Sequence, residues 1–167
     1  ISTNGADALH KHLQADPNLV FTLNLQCQTL PDVQSHNVIG EIKGSLYPDE
    51  IITVGGHLDS WDVGEGAHDD GAGVVQAMEV LKLFRMVGYQ PKRTIRAVAF
   101  MNEENGMKGG LEYAAQGKAK GEKHIAALES DRGGFAPRGI EMQANATNTS
   151  FAMRYLPLFV PYMMHNI

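Results

Sequence analysis

The chain has 167 residues, room for one domain with a proper core or for most of a larger one. An apolar fraction of 43% with 20% charged residues describes a globular protein and excludes a disordered one. The formal charge of −5, without a basic block, argues against nucleic acid; no apolar run reaches the ~18–20 residues of a membrane span; and the lone Cys27 leaves no disulfide framework.

In chain order, residues 19–30 (LVFTLNLQCQTL) alternate in part and predict a strand, with Cys27 as a packed thiol within it. HNVIGEIKG at 36–44 predicts a second strand that can pair antiparallel with the first, closed by a turn at Pro48–Asp49. IITVGG at 51–56 is a continuous apolar run of the kind buried on both faces of a sheet. Residues 72–87 predict a helix with a polar band of Gln76, Glu79, Lys82 and Arg85. Val75, Met78, Leu81, Leu83 and Val87 are apolar, and Gly88 acts as the stop. TIRAVAFM at 94–101 predicts a buried strand and 107–116 a short helix. QGKAKGEK at 116–123 predicts a solvated loop, and HIAALES at 124–130 a third apolar strand. A glycine turn, a short strand near GIEMQ and a helix over 149–157 follow, and the eight methionines are expected mainly to fill the core. Strand and helix alternate, so the expected fold class is α/β, a mixed, mostly parallel central sheet flanked by helices. Residues 1–167 are expected to form a single domain, incomplete at its C-terminus; the start at Ile1 and the end at MMHNI read as those of a piece of a longer protein.

The ionisable residues fall in a pattern. IITVGG ends at His57, TIRAVAFM is followed by Asn102, Glu103 and Glu104, and HIAALES by Asp131. Parallel strands deliver such residues to one edge, where ligands of open α/β sheets bind. Asp69 and Asp70 join them from the start of the long helix. Histidine and carboxylates without cysteine suit a divalent cation, zinc first, which turns the mutual repulsion of carboxylates into shared attraction. Two metals bridged by one aspartate would do so better and would provide a nucleophilic hydroxide. The glycines of GGHLDSWDVGEGAHDDGAG let the loop from His57 to Asp69 fold back tightly. Each signal also has a plainer reading: a surface His–Asp pair, a solvated helix start at Glu103–Glu104, an ion pair between Asp131 and Arg132. The shared placement of all of them after buried strands favours the metal.

GGHLDS, HDDGAG, FMNEENG and ESD, in this order, resemble the co-catalytic zinc exopeptidases, the family of bacterial leucyl aminopeptidases and glutamate carboxypeptidases. The likeness spans about residues 30–140 and is nearest to the plasma glutamate carboxypeptidase branch. It implies that His57 and Asp131 bind a first zinc, that Asp69 bridges two zinc ions, often across a cis Asp69–Asp70 peptide, and that Glu104 binds the second zinc. Glu103 is implied as the general base, and Asp59 as the partner that orients the His57 imidazole. The family's histidine for the second zinc has no counterpart in this chain, and His165, the only histidine after Asp131, does not sit in a matching motif. This chain is therefore expected to hold one zinc weakly or none. His68 and His124 carry no implied role, and Trp61 is expected to line the pocket or to pack.

The resemblance implies a secreted or periplasmic exopeptidase acting on small peptides, dipeptides among them, with a homodimer among the assemblies it allows. Two alternatives share the fold: a non-catalytic peptidase-like binding domain, as in transferrin receptors, and a zinc acyl-transferase of the glutaminyl cyclase type. The visible ligands and Glu103 argue against the first, and the Asp69–Asp70 pair against the second. Asn145 and Asn148 begin glycosylation sequons of a kind that also arises by chance.

Overall fold

The computed structural model describes residues 1–131 and 133–164. The folded chain divides into two compact units, Ile1–Gln34 and Ser35–Ile167.

The first unit holds one helix, α1 (Thr3–Ala15), which the sequence pattern does not predict. Its signal is Ser2, whose Oγ accepts the N–H of Gly5 at 3.1 Å as an N-cap. The strand expected over 19–30 does not form: residues 19–37 carry no regular structure, and Cys27 is exposed rather than packed. Alternation alone gives a segment strand tendency; a strand is stable only with a partner ladder, and this one has none.

The second unit contains a four-stranded sheet in the order β1-β3-β2-β4. The strands are β1 (Val38–Ile42), β2 (Tyr47–His57), β3 (Arg93–Phe100) and β4 (Lys123–Glu129). β2 runs parallel to both β3 and β4, and β1 is antiparallel to β3, so the mixed, mostly parallel sheet expected from the sequence is present. The antiparallel partner of β1 is β3 and not the 19–30 segment. The Pro48–Asp49 turn is instead the start of β2, where the register with β3 shifts between Tyr47 and Ile51. Helix α2 (Ala72–Met86) joins β2 to β3, and Gly88, at φ 64°, lies just past its end. Helix α3 (Lys108–Ala119) joins β3 to β4 and takes in part of the lysine-rich segment expected as a loop. The strand near GIEMQ reduces to a single bridge at Gly139. Helix α4 (Ala146–Ala152) is capped by Asn145 and followed by short helical turns.

The buried core consists of Ile51 and Thr53 on β2, Thr94, Ile95, Ala97 and Val98 on β3, and Ala77 on α2, with Thr53 on the face that meets Tyr113 of α3. The face of α2 turned to the sheet is only partly the expected one: Leu81 is half-buried and lies against Gly40 of β1. Gly73 and Ala77 are its buried residues, whereas Val75, Met78, Leu83 and Val87 are exposed. Small residues win that face because they let the helix backbone approach the strands. Met78, Met86, Met107, Met142, Met153 and Met163 are likewise exposed, against their expected role as core filling.

Candidate metal centre

Because β2, β3 and β4 run in the same direction, their carboxyl ends meet at one edge, with His57 in register with Phe100 and Gly55 with Glu129. His57 is the last residue of β2 and is 1% exposed. Its ring Nδ1 lies 2.9 Å from the backbone carbonyl of Asp59, an acceptor only, so Nδ1 carries a proton and Nε2 faces the carboxylates. Nε2 lies 3.0 Å from Asp69 Oδ1, 3.7 Å from Asp131 Oδ1 and 3.9 Å from Glu103 Oε2. Burial works against a charged ring, but the Asp59 carbonyl and the carboxylates of Asp70, Asp69 and Glu103 outweigh it and raise the pKa of His57. The surroundings therefore favour a positive charge at this point.

Asp69 comes from the tight turn Ala67–Gly71, entered through Gly66 at φ 62° and closed by Gly71 N–H to the Gly66 carbonyl at 2.6 Å. The Asp69–Asp70 peptide is cis. The other left-handed residue of this loop is Val63, at φ 61°, so the loop does not place all its unusual backbone on glycines. Asp70, 1% exposed, is grouped with Asp69 by the sequence pattern without a role of its own, and has a structural one in the fold. Its Oδ2 accepts the N–H of His57 and its Oδ1 the N–H of Gly73, both at 2.9 Å, tying the end of β2 to the first turn of α2. Burial pushes its carboxyl pKa up, and those two bonds oppose the rise. The signal available in the sequence is an aspartate three residues before Gly73, the spacing of an N-terminal cap. The close fit also explains Gly73 itself: a Cβ there would collide with the Ser130 carbonyl and with both Asp70 oxygens.

Asp59 departs from expectation. Its carboxylate stands 3.8 Å from Nδ1 of His57 and instead accepts the backbone N–H groups of Glu103 at 2.9 Å and Glu104 at 3.2 Å. The chain folds back after His57, so the Asp59 carbonyl reaches the imidazole while its side chain reaches the turn after β3. That turn, residues 103–106, is not locally extended: Gly106 and Met107 N–H both approach the Glu103 carbonyl. Asn37 fixes its flank, accepting Met101 N–H at 2.9 Å and donating to the Gly109 carbonyl at 2.8 Å, a role the sequence did not disclose.

His57, Asp69 and Asp131 each offer a ligand atom within 4.8 Å of the others. Glu104 supplies a further test of fit, since its Oε1 is buried without a hydrogen-bond partner. Burial raises its carboxyl pKa, and the nearby Asp69 adds to the rise. A carboxylate oxygen in that position is costly unless a cation meets it. Two carboxylates and an imidazole nitrogen within mutual reach fit a divalent metal, with the unpartnered Glu104 oxygen beside them for a second, while the absence of cysteine ligands separates the site from structural zinc sites.

The remaining residues singled out from the sequence fall outside this cluster. His124 bonds Thr53 Oγ1 at 3.1 Å and Glu122 at 3.2 Å. His68 bonds the backbone of Gly134. Trp61 is 62% exposed. His165, and the Arg132 partner considered for Asp131, lie outside the described residues. Glu103 also borders a cavity of about 570 Å³ beneath α3, walled by Phe100, Tyr113, Ala127 and Glu129.

The profile of peptidase family M28 matches residues 37–163. Carboxypeptidase Q of Mus musculus is 36% identical over 161 residues, 96% of this chain and 34% of the relative. The Homo sapiens carboxypeptidase Q is 35% identical over the same shares. The chain thus spans about a third of the length of these relatives. Among solved structures, a peptidase M28 precursor from Shewanella amazonensis is 40% identical with a TM-score of 0.69, covering 78% of this chain and 29% of that one. The LapA protein of Legionella superposes with a TM-score of 0.58 at 18% identity, over 79% of this chain and 42% of that one, and supports the fold alone.

Proposed function

We propose, since this chain belongs to peptidase family M28, that it carries the metal-binding half-site of a zinc-dependent exopeptidase acting on small peptides. The observation that carries the reading is the convergence of His57, Asp69 and Asp131 within 4.8 Å, beside the unpartnered Glu104 oxygen. His57 Nε2, Asp69 and Asp131 would hold a first cation, and Asp69 with Glu104 would face a second. The cation, when bound, supplies Lewis-acid polarisation of the scissile carbonyl and acidifies a water.

The chain's own residues would do the rest. Asp59 fixes the 103–104 turn through two backbone bonds and so aims both glutamates. Glu103 is the base: its carboxylate borders the cluster, accepts the proton of the attacking water and returns it to the leaving amine. Asp70 acts through structure, holding the end of β2 and the start of α2 in one frame. A secreted or periplasmic setting belongs to this proposal; among the described residues no helix is long and apolar enough to cross a membrane. Whether amino- or carboxy-terminal residues are removed is left to the assay, with the carboxypeptidase Q likeness placing dipeptides first among substrates to try.

The test uses the full-length protein. Dipeptide hydrolysis should vanish with a chelator, return with zinc, and fall by about 10²–10⁴ in kcat for Glu103→Gln with metal content retained. Unchanged hydrolysis in the chelator removes the metal from the reaction. Tight zinc binding without turnover of any peptide points to a binding domain, and cyclisation of N-terminal glutamine to an acyl-transferase.

A further inference from the structure

We propose that His68 and Gln76 are positioning residues that set the place of Asp131, an inference that rests on Asp131 being a cation ligand. The last ladder bond of β4 is Ser130 N–H to the Gly55 carbonyl at 3.0 Å, and the chain leaves the sheet there. β4 is an edge strand, exposed along its whole length, and restrains the residues after it only weakly. The residues flanking Asp131 are held from elsewhere. The Gln76 amide donates from Nε2 to the Gly133 carbonyl at 2.9 Å and accepts Ser130 Oγ–H on Oε1 at 2.8 Å. His68 Nδ1 accepts the N–H of Gly134 at 3.1 Å, and the ring rests against Phe135 with centroids 5.4 Å apart.

The seat is tight. A Cβ on Gly134 would lie 2.5 Å from His68 Nδ1, and one on Gly133 would lie 2.7 Å from Ser130 Oγ. Both anchors come from the part of the chain that delivers Asp69. His68 is its neighbour on the Ala67–Gly71 turn, and Gln76 lies in α2, whose start Asp70 fixes. The spacing between the Asp69 and Asp131 carboxylates is therefore set by one rigid piece, not by the exposed strand that carries Asp131. Outer partners of this kind typically change metal affinity by about 10–100-fold when removed.

The experiment measures zinc affinity of the full-length protein by competition with a chromophoric chelator, alongside melting of the metal-free protein. His68→Ala and Gln76→Ala should each weaken zinc binding by about tenfold or more while the metal-free melting temperature holds. His68→Asn, whose amide oxygen can accept the Gly134 N–H, should recover most of the loss. Exchange of the Gly134 amide hydrogen should quicken in His68→Ala and slow again in His68→Asn. Asp131→Ala separates the ligand role from the positioning role. If it weakens zinc binding and both alanine variants stay within about twofold of wild type, the positioning role is overturned and the ligand role stands. If Asp131→Ala itself changes nothing, both are overturned. Should an alanine variant fail to fold, His68→Leu and Gln76→Met keep the bulk, lose the bonds and carry the same comparison.

Discussion

One substitution made in two helices should act with opposite sign. In α2, a Cβ on Gly73 would overlap the Ser130 carbonyl and the Asp70 carboxylate; in α3, a Cβ on Gly110 meets nothing within 4 Å, and its φ is not positive. Alanine in place of glycine within a helix contributes roughly 0.5–1 kcal/mol through reduced freedom of the unfolded chain. Gly110→Ala should therefore stabilise by about that much, raising the melting temperature by roughly 1–4 °C. Gly73→Ala receives the same gain but forces backbone and a buried carboxylate apart. Overpacking of a rigid site costs about 1–3 kcal/mol, and a displaced Asp70 leaves the His57 and Gly73 N–H groups unpaired at about 1–3 kcal/mol each. The net expectation is a loss of about 2–8 kcal/mol together with weakened zinc binding, because the N–H of His57 and the Ser130 backbone beside Asp131 both touch the displaced groups. Urea unfolding followed by circular dichroism, with zinc titration on the same samples, measures both. A Gly73→Ala protein as stable as wild type, with unaltered zinc affinity, would show that the crowding at this glycine has no energetic consequence.

Glu122 gives a pH prediction away from the metal cluster. Its bonds to Arg96, at 2.9 and 3.3 Å, hold its carboxyl below the ordinary 4.5 against the opposing effect of burial. A carboxyl with a lowered folded pKa contributes stability that is complete above its unfolded pKa and is lost as pH falls through the folded one. The urea-midpoint difference between wild type and Glu122→Gln should thus be largest near neutrality and shrink below about pH 4.5; a flat difference down to about pH 3 contradicts this. Asp59→Ala should leave first-site zinc affinity nearly intact, because its carbonyl and not its carboxylate meets His57, yet lower kcat by about tenfold or more by freeing the 103–104 turn; equal loss in both readouts would assign Asp59 to the imidazole after all. Calorimetry on the 167-residue chain alone should find at most one weak zinc site, and two tight sites would show that a second-site ligand had been overlooked.

The sheet was legible because its strands are apolar runs cut off by chemistry-bearing residues. IITVGG before His57 and TIRAVAFM before Asn102 read as buried strands, and β2 and β3 form there; HIAALES reads the same way, but β4 at the sheet edge is exposed. Segments that need a partner were not legible. LVFTLNLQCQTL has the composition of a strand, but composition does not supply a neighbouring ladder, and α1 before it announces itself only through the Ser2 cap. The contact face of α2 was illegible for a related reason: the polar band of Gln76, Glu79, Lys82 and Arg85 leaves a broad apolar remainder without marking its middle, and the small residues Gly73 and Ala77, which hydropathy scores weakly, decide the contact. At the site, the sequence located the side chains that converge and missed those that hold them. Asn37, His68 and Gln76 act through backbone groups, and backbone partners leave no residue pattern to find; Asp70 also acts through backbone groups, and only its spacing to Gly73 marks it in the sequence. Asp59 shows the same limit, since which of its oxygens meets the imidazole depends on how the chain turns back.

Whether His57, Asp69 and Asp131 share a cation can be seen in an anomalous difference map at the zinc absorption edge, from crystals of the full-length protein grown with zinc. A peak is expected at about 2.0–2.2 Å from His57 Nε2 and from oxygens of Asp69 and Asp131, with a second peak near Glu104. Density elsewhere only, with His57, Asp69 and Asp131 still in place and unliganded at saturating zinc, would contradict the proposed centre.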